Sequence, residues 1–122
     1  MSSIRFALAA AALLISSACG SSYSSTPTTP TPGTGNGKPV SIVGGASTMG
    51  TSAYAPSPVA ISVGGSVTWT NNDGTTHTAT GSGWNSGSIA PGGKYTATFS
   101  SAGTFVYHCT IHPGMTGTVT VQ

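Results

Sequence analysis

Apolar and polar residues alternate with a period of two over most of the chain beyond residue 39. Val40 and Ile42 share a face, as do Val59, Ile61 and Val63 with Ala60 and Ser62 between them. Val67 and Trp69 alternate with Thr68 and Thr70; Tyr95, Ala97 and Phe99 alternate with Lys94, Thr96 and Thr98. Phe105 and Tyr107 alternate with Thr104 and Val106, and Val119 and Val121 close the chain. This is the pattern of half-buried strands. Gly64-Gly65, Asn72-Asp73-Gly74, Pro91-Gly92-Gly93 and Ala102-Gly103 punctuate the runs, and no segment sustains a 3.6-residue period. Several short strands with frequent turns predict an all-β fold, an antiparallel sandwich or barrel. Residues 81–93 read as a loop crossing that tucks Trp84 and Ile89 against the core.

The first 38 residues break this pattern. Residues 1–18 combine one positive charge, Arg5, with an apolar run of ten residues from Phe6 to Ile15 and small residues before Cys19. That is the layout of a secretory signal, and the run is too short for a bilayer, which takes roughly 20 residues. Ile15-Ser16-Ser17-Ala18-Cys19 resembles a bacterial lipobox, with Ser16 where a large aliphatic residue is usual. It predicts a lipid-modified Cys19, with ordinary cleavage after Ala18 as the alternative. Residues 19–38, almost wholly Ser, Thr, Pro and Gly, cannot bury enough apolar surface to offset their ordering entropy. They read as a disordered linker, reaching roughly 25 Å as a random coil. Residues 39–122 then form one folded domain.

Charge narrows the function classes. Arg5, Lys38 and Lys94 stand against a single acid, Asp73, a formal +2. Nucleic-acid binding needs clustered Lys and Arg, which are absent. Catalysis by paired carboxylates is excluded because Asp73 has no acidic partner. A domain of about 85 residues buries a limited share of its surface and benefits from a staple such as a metal.

The stretch YHCTIHPGM, from Tyr107 to Met115, holds two of the three histidines and one of the two cysteines. Extending the Phe105, Tyr107 register by two residues turns Cys109 inward and His108 outward. An isolated inward cysteine is ordinarily a small buried hydrophobe. Here, however, His112 follows at i+3 and Met115 at i+6, and Pro113-Gly114 supplies a turn that folds the three side chains toward one point. His77, in register with Ala79 at the start of a strand after the Asn71-Asn72-Asp73-Gly74 turn, is the fourth candidate. Cys19 sits on the tether, so it is a poor disulfide partner for Cys109.

The donor types select the metal. Structural zinc uses four Cys or His ligands and no thioether, and iron-sulfur clusters need more thiolates than one. Two imidazoles, one thiolate and a weak axial methionine are the set of a type 1 copper site for electron transfer.

With these residues the sequence resembles a cupredoxin, the blue copper family that includes plastocyanin and amicyanin. The likeness runs over nearly all of residues 39–122. It is carried by YAPSPVAISVGGSVTWTNNDGTTHTAT, by GWNSGSIAPGGKYTATFSSAGTFVYHC and by the C-x2-H-x2-M spacing of short-loop, amicyanin-like members. It implies a Greek-key β-sandwich or barrel, one copper per chain, and His77, Cys109, His112 and Met115 as its ligands. Many members carry Asn directly after the first histidine, tying the ligand loops together; Thr78 stands there, and its hydroxyl is the expected substitute as a hydrogen-bond donor. The resemblance also implies an electron port at the edge of His112, ringed by apolar residues, with Pro113, Gly114 and Met49 as candidates.

The expected function is an exported one-electron carrier in the periplasm or cell envelope, monomeric, with a redox donor and a redox acceptor as partners. It has no nucleic-acid partner and no enzymatic activity, and lipidated Cys19 is its membrane tether. A copper storage or delivery lipoprotein is the alternative. An enzyme reading draws on His108-Cys109, which resembles the His-Cys step between copper centres in multicopper oxidases. It lacks histidines: once His77 and His112 are used, only His108 remains. A metal-free adhesin sandwich gives no reason for the Cys, His and Met grouping.

Overall fold

The computed structural model describes residues 31–32 and 37–122, and side chains from residue 37 onward. The signal segment, Cys19 and most of the linker lie outside the described residues. Among those described, the strands are β1 (Thr31–Pro32), β2 (Lys38–Ile42), β3 (Tyr54–Ala55), β4 (Val59–Ile61) and β5 (Ser66–Asn71). They continue with β6 (Thr80–Gly81), β7 (Trp84–Asn85), β8 (Lys94–Thr98), β9 (Gly103–His108) and β10 (Thr116–Val121). One sheet has the order β1-β8-β5-β2-β3 and the other β4-β10-β9-β6-β7. The β-sandwich implied by the cupredoxin resemblance is what the chain forms. Short β1, inside the stretch read as linker, pairs with Thr98 and Ala97 at the edge of the first sheet.

Alternation predicts which face each strand buries. In β5 and β10 every second residue is buried: Val67, Trp69 and Asn71, then Gly117, Val119 and Val121. Inward residues of both sheets meet in one core, where Trp69 packs against Trp84, Tyr95 and Tyr107 at centroid separations of 5.4, 5.8 and 5.3 Å. Tyr107 pairs with Gly81 on one side and Gly117 on the other. A Cβ at Gly117 would enter the Tyr107 ring and one at Gly81 the Trp84 indole, so both glycines make room for aromatic rings. Trp84 and Ile89 are buried as expected.

Four details differ from the sequence reading. The sheets are not purely antiparallel: β2 runs parallel to β5, and β4 parallel to β10. Period-two patterning assigns faces and carries no information about a partner's direction. Val63 does not continue the buried face of β4 but is 52% exposed, because that strand ends at Ile61 and the chain turns through Gly64. Residues 81–93 are not a plain crossing; β6 and β7 form a small hairpin there. Finally, His77 does not open a strand but makes an isolated bridge with Ile89.

The topology places the ends of β5 and β9 and the start of β10 at one pole, where the candidate ligands cluster. Lys38 and Ser66, at the opposite ends of β2 and β5, mark the other pole.

Candidate metal centre

Cys109 directly follows β9, is fully buried, and points inward as the register requires, while His108 is exposed. The following loop closes on itself. The Met115 N–H donates to the His112 carbonyl at 2.9 Å, and the Cys109 N–H donates to the Met115 carbonyl at 3.0 Å. With the Pro113-Gly114 turn between them, these bonds hold Cys109, His112 and buried Met115 on a short rigid arc. His77 arrives from the connection between β5 and β6. Paired backbone bonds with Ile89 fix it, N to O at 3.2 and 2.8 Å.

The donor atoms converge. His77 Nδ1 lies 3.9 Å from Cys109 Sγ, His112 Nδ1 lies 3.8 Å from the same sulfur, and the two Nδ1 atoms are 3.2 Å apart. Metal bonds of about 2.0 Å to nitrogen and about 2.3 Å to sulfur, splayed in a trigonal plane, put N···N near 3.5 Å and N···S near 3.7 Å. The triangle observed fits one ion bound by three atoms. His77 and Cys109 are fully buried and His112 is partly exposed, so of these three His112 is the one that reaches the surface. Of the candidate ligands, Met115 is the thioether suited to a weak axial bond.

Around the ligands the polar groups are paired. The Thr78 N–H donates to Cys109 Sγ at 3.3 Å. The Thr78 hydroxyl accepts from the Thr110 N–H at 3.0 Å and pairs with the Thr110 and Thr80 hydroxyls at 3.3 and 3.0 Å. The hydroxyl, expected as a donor, instead accepts from the ligand-loop backbone. Buried Tyr54 donates its hydroxyl to the Thr78 carbonyl, and burial pushes its pKa far above the usual phenol range.

Three residues of this shell escaped the sequence reading. Besides Tyr54 they are Asn71 and Asp73. Fully buried Asn71 donates its amide to the Thr75 and Ile89 carbonyls at 2.7 and 2.8 Å, shaping the loop that carries His77. Asp73 Oδ2 lies 2.8 Å from His77 Nε2, so the ring's outer N–H donates to a carboxylate and Nδ1 is left free for a metal. N–H donation from Gly45, then the bond to His77, holds the Asp73 carboxyl well below the usual carboxylate range. The Asx-type turn N-D-G was the available signal, but it shows local geometry and not a partner four residues on.

The residues expected around the edge of His112 lie at the surface. Met49 is 42% exposed, and Pro113 and Gly114 are exposed beside His112. A Cβ on Gly50 would lie 3.8 Å from the Gly114 carbonyl, which places the Met49 loop against the ligand loop. Ile111, 49% exposed and next to His112 in sequence, was not foreseen.

Residues 41–122 match the family model described as copper binding proteins, plastocyanin/azurin family. A plastocyanin of Scenedesmus fuscus is 40% identical over 88 residues, which is 60% of this chain and 90% of the relative. Among solved structures, a purple cupredoxin from Nitrosopumilus maritimus superposes with TM-score 0.65 at 30% identity, over 70% of this chain and 99% of that one. A reduced Cu(I) form of an amicyanin variant gives TM-score 0.62 at 28% identity, covering 77% of this chain and 92% of the other. His77, Cys109, His112 and Met115 form a type 1 copper site.

Proposed function

Because the chain belongs to the plastocyanin/azurin family of copper-binding proteins, we propose that it is an exported one-electron carrier, shuttling between a redox donor and a redox acceptor. The observation that carries this reading is the closed triangle of His77, Cys109 and His112 donor atoms on hydrogen-bonded loops. Copper bound there supplies the one-electron couple. The chain's part is to hold the donors in one geometry for both oxidation states, so that little rearrangement opposes the electron. His77 is fixed by its bridge to Ile89, Cys109 by its place at the end of β9, and His112 and Met115 by the loop bonds. Delivery of the ion would favour exposed, exchangeable donors, whereas two of these three are fully buried.

Docking rests on the apolar rim of Met49, Ile111, Pro113 and Gly114 around His112. Among the described residues the charged side chains are Lys38, Lys94 and Asp73, none of them in that rim. Association therefore depends weakly on ionic strength. The lipid tether at Cys19 belongs to the same reading, since Lys38, where the domain begins, sits at the pole away from the copper site and leaves the rim facing outward.

The test is reductant titration of the copper-loaded mature domain. A carrier bleaches and recovers its visible band over repeated cycles with copper retained; release of the ion on reduction favours storage or delivery instead.

A further inference from the structure

The sequence contains one acidic side chain, Asp73, and the fold spends it on a metal ligand. Its carboxylate is saturated by four donors. Oδ1 accepts from the Gly45 and Gly74 N–H groups at 3.0 and 2.8 Å, and Oδ2 accepts from the Thr75 hydroxyl at 3.1 Å and from His77 Nε2 at 2.8 Å. The Asp73 N–H is itself held by Asn71 Oδ1 at 2.9 Å. The carboxylate cannot swing away, and the ring it faces cannot rotate.

Fixing a ligand histidine needs only an acceptor, and a backbone carbonyl would do it. A carboxylate adds a full negative charge, one imidazole away from the ion. That charge does not treat the two oxidation states equally: it attracts Cu(II) more than Cu(I), and through the Nε2–H bond it makes Nδ1 a better donor to the harder, more highly charged ion. Thr75 works against it, because its hydroxyl draws on the same Oδ2 and stands 3.1 Å from Nε2.

We propose that Asp73 is the potential-setting residue of this protein: a fixed anion on the outer nitrogen of His77 that favours the oxidised site and so lowers the reduction potential. This rests on the reading of the site as a redox-active copper centre. Asp73 is a positioning residue with an electrostatic effect, and Thr75 is its counterweight. The two predict shifts of opposite sign, which a merely structural role for the loop would not.

The experiment is equilibrium redox titration of the visible band in the copper-loaded wild type, in Asp73→Asn and in Thr75→Val. Asparagine keeps one acceptor oxygen and removes the charge. Its band is expected to persist while the Cu(II)/Cu(I) balance shifts toward Cu(I) by about tenfold or more, a rise of ~59 mV for a one-electron couple. Thr75→Val, which frees Oδ2 from a neutral donor, is expected to shift the balance the other way. An intact band in Asp73→Asn with an unchanged or lowered potential overturns the proposal. If that variant does not fold, Thr75→Val decides alone: a potential at or above the wild-type value overturns it. A wild type with no reversible band at all is a different outcome, since it defeats the electron-carrier reading itself.

Discussion

Thr78 holds Cys109 twice over: its N–H donates to the sulfur at 3.3 Å, and its hydroxyl accepts from the Thr110 N–H, the residue after the cysteine, at 3.0 Å. One residue thus joins the His77 segment to the ligand loop.

Removing the hydroxyl while keeping the amide separates these two contributions. Thr78→Val is expected to leave the thiolate bond in place but strand the part-buried Thr110 N–H, at a cost of about 1–3 kcal/mol. Urea midpoints of the copper-loaded domain check this. Thr78→Ser, which restores the acceptor, is expected to recover most of the loss.

Met115 is fully buried behind the ligand loop. Met115→Leu conserves volume and is expected to cost less than about 1.5 kcal/mol in stability. The thioether is lost, and with it a donor that supports Cu(II), so the potential is expected to rise with the visible band retained. Redox titration and denaturation of the same variant supply the two readings.

Alkali is expected to destabilise the fold. Burial holds Tyr54 far above the usual phenol range and pushes Tyr107 up to about 12. Their folded pKa values exceed the unfolded value of about 10, so the neutral phenols contribute stability that is fully present below pH 10. It is lost progressively as pH rises past that point, because only the unfolded chain ionises there. Denaturation midpoints measured from pH 7 to 11 should fall beyond pH 10, and Tyr54→Phe should flatten part of that fall.

Much of this was readable from alternation. The Phe105, Tyr107 register turned Cys109 inward and His108 outward, and the Pro113-Gly114 turn brought His112 and Met115 back toward the sulfur, because period-two geometry and short turns are local. The parallel pairing of β2 with β5 was not readable, since it joins strands separated by residues 43–65, which pass through β3 and β4. Tyr54 and Asp73 were missed for a related reason. Each reads locally as a strand or turn residue, and only the folded arrangement brings the Tyr54 hydroxyl to Thr78 and the Asp73 carboxylate to His77. Val63 shows the converse error: its alternation was correct, but the strand had already ended.

The central claim is that His77, Cys109 and His112 bind one copper ion with the cysteine as thiolate. Titrating the mature domain with Cu(II) while recording its visible spectrum, alongside Cys109→Ser, tests it most directly. An intense band that saturates at one ion per chain in the wild type and is absent from the serine variant is the predicted result. A band that survives the substitution, or that keeps growing past one equivalent, contradicts it.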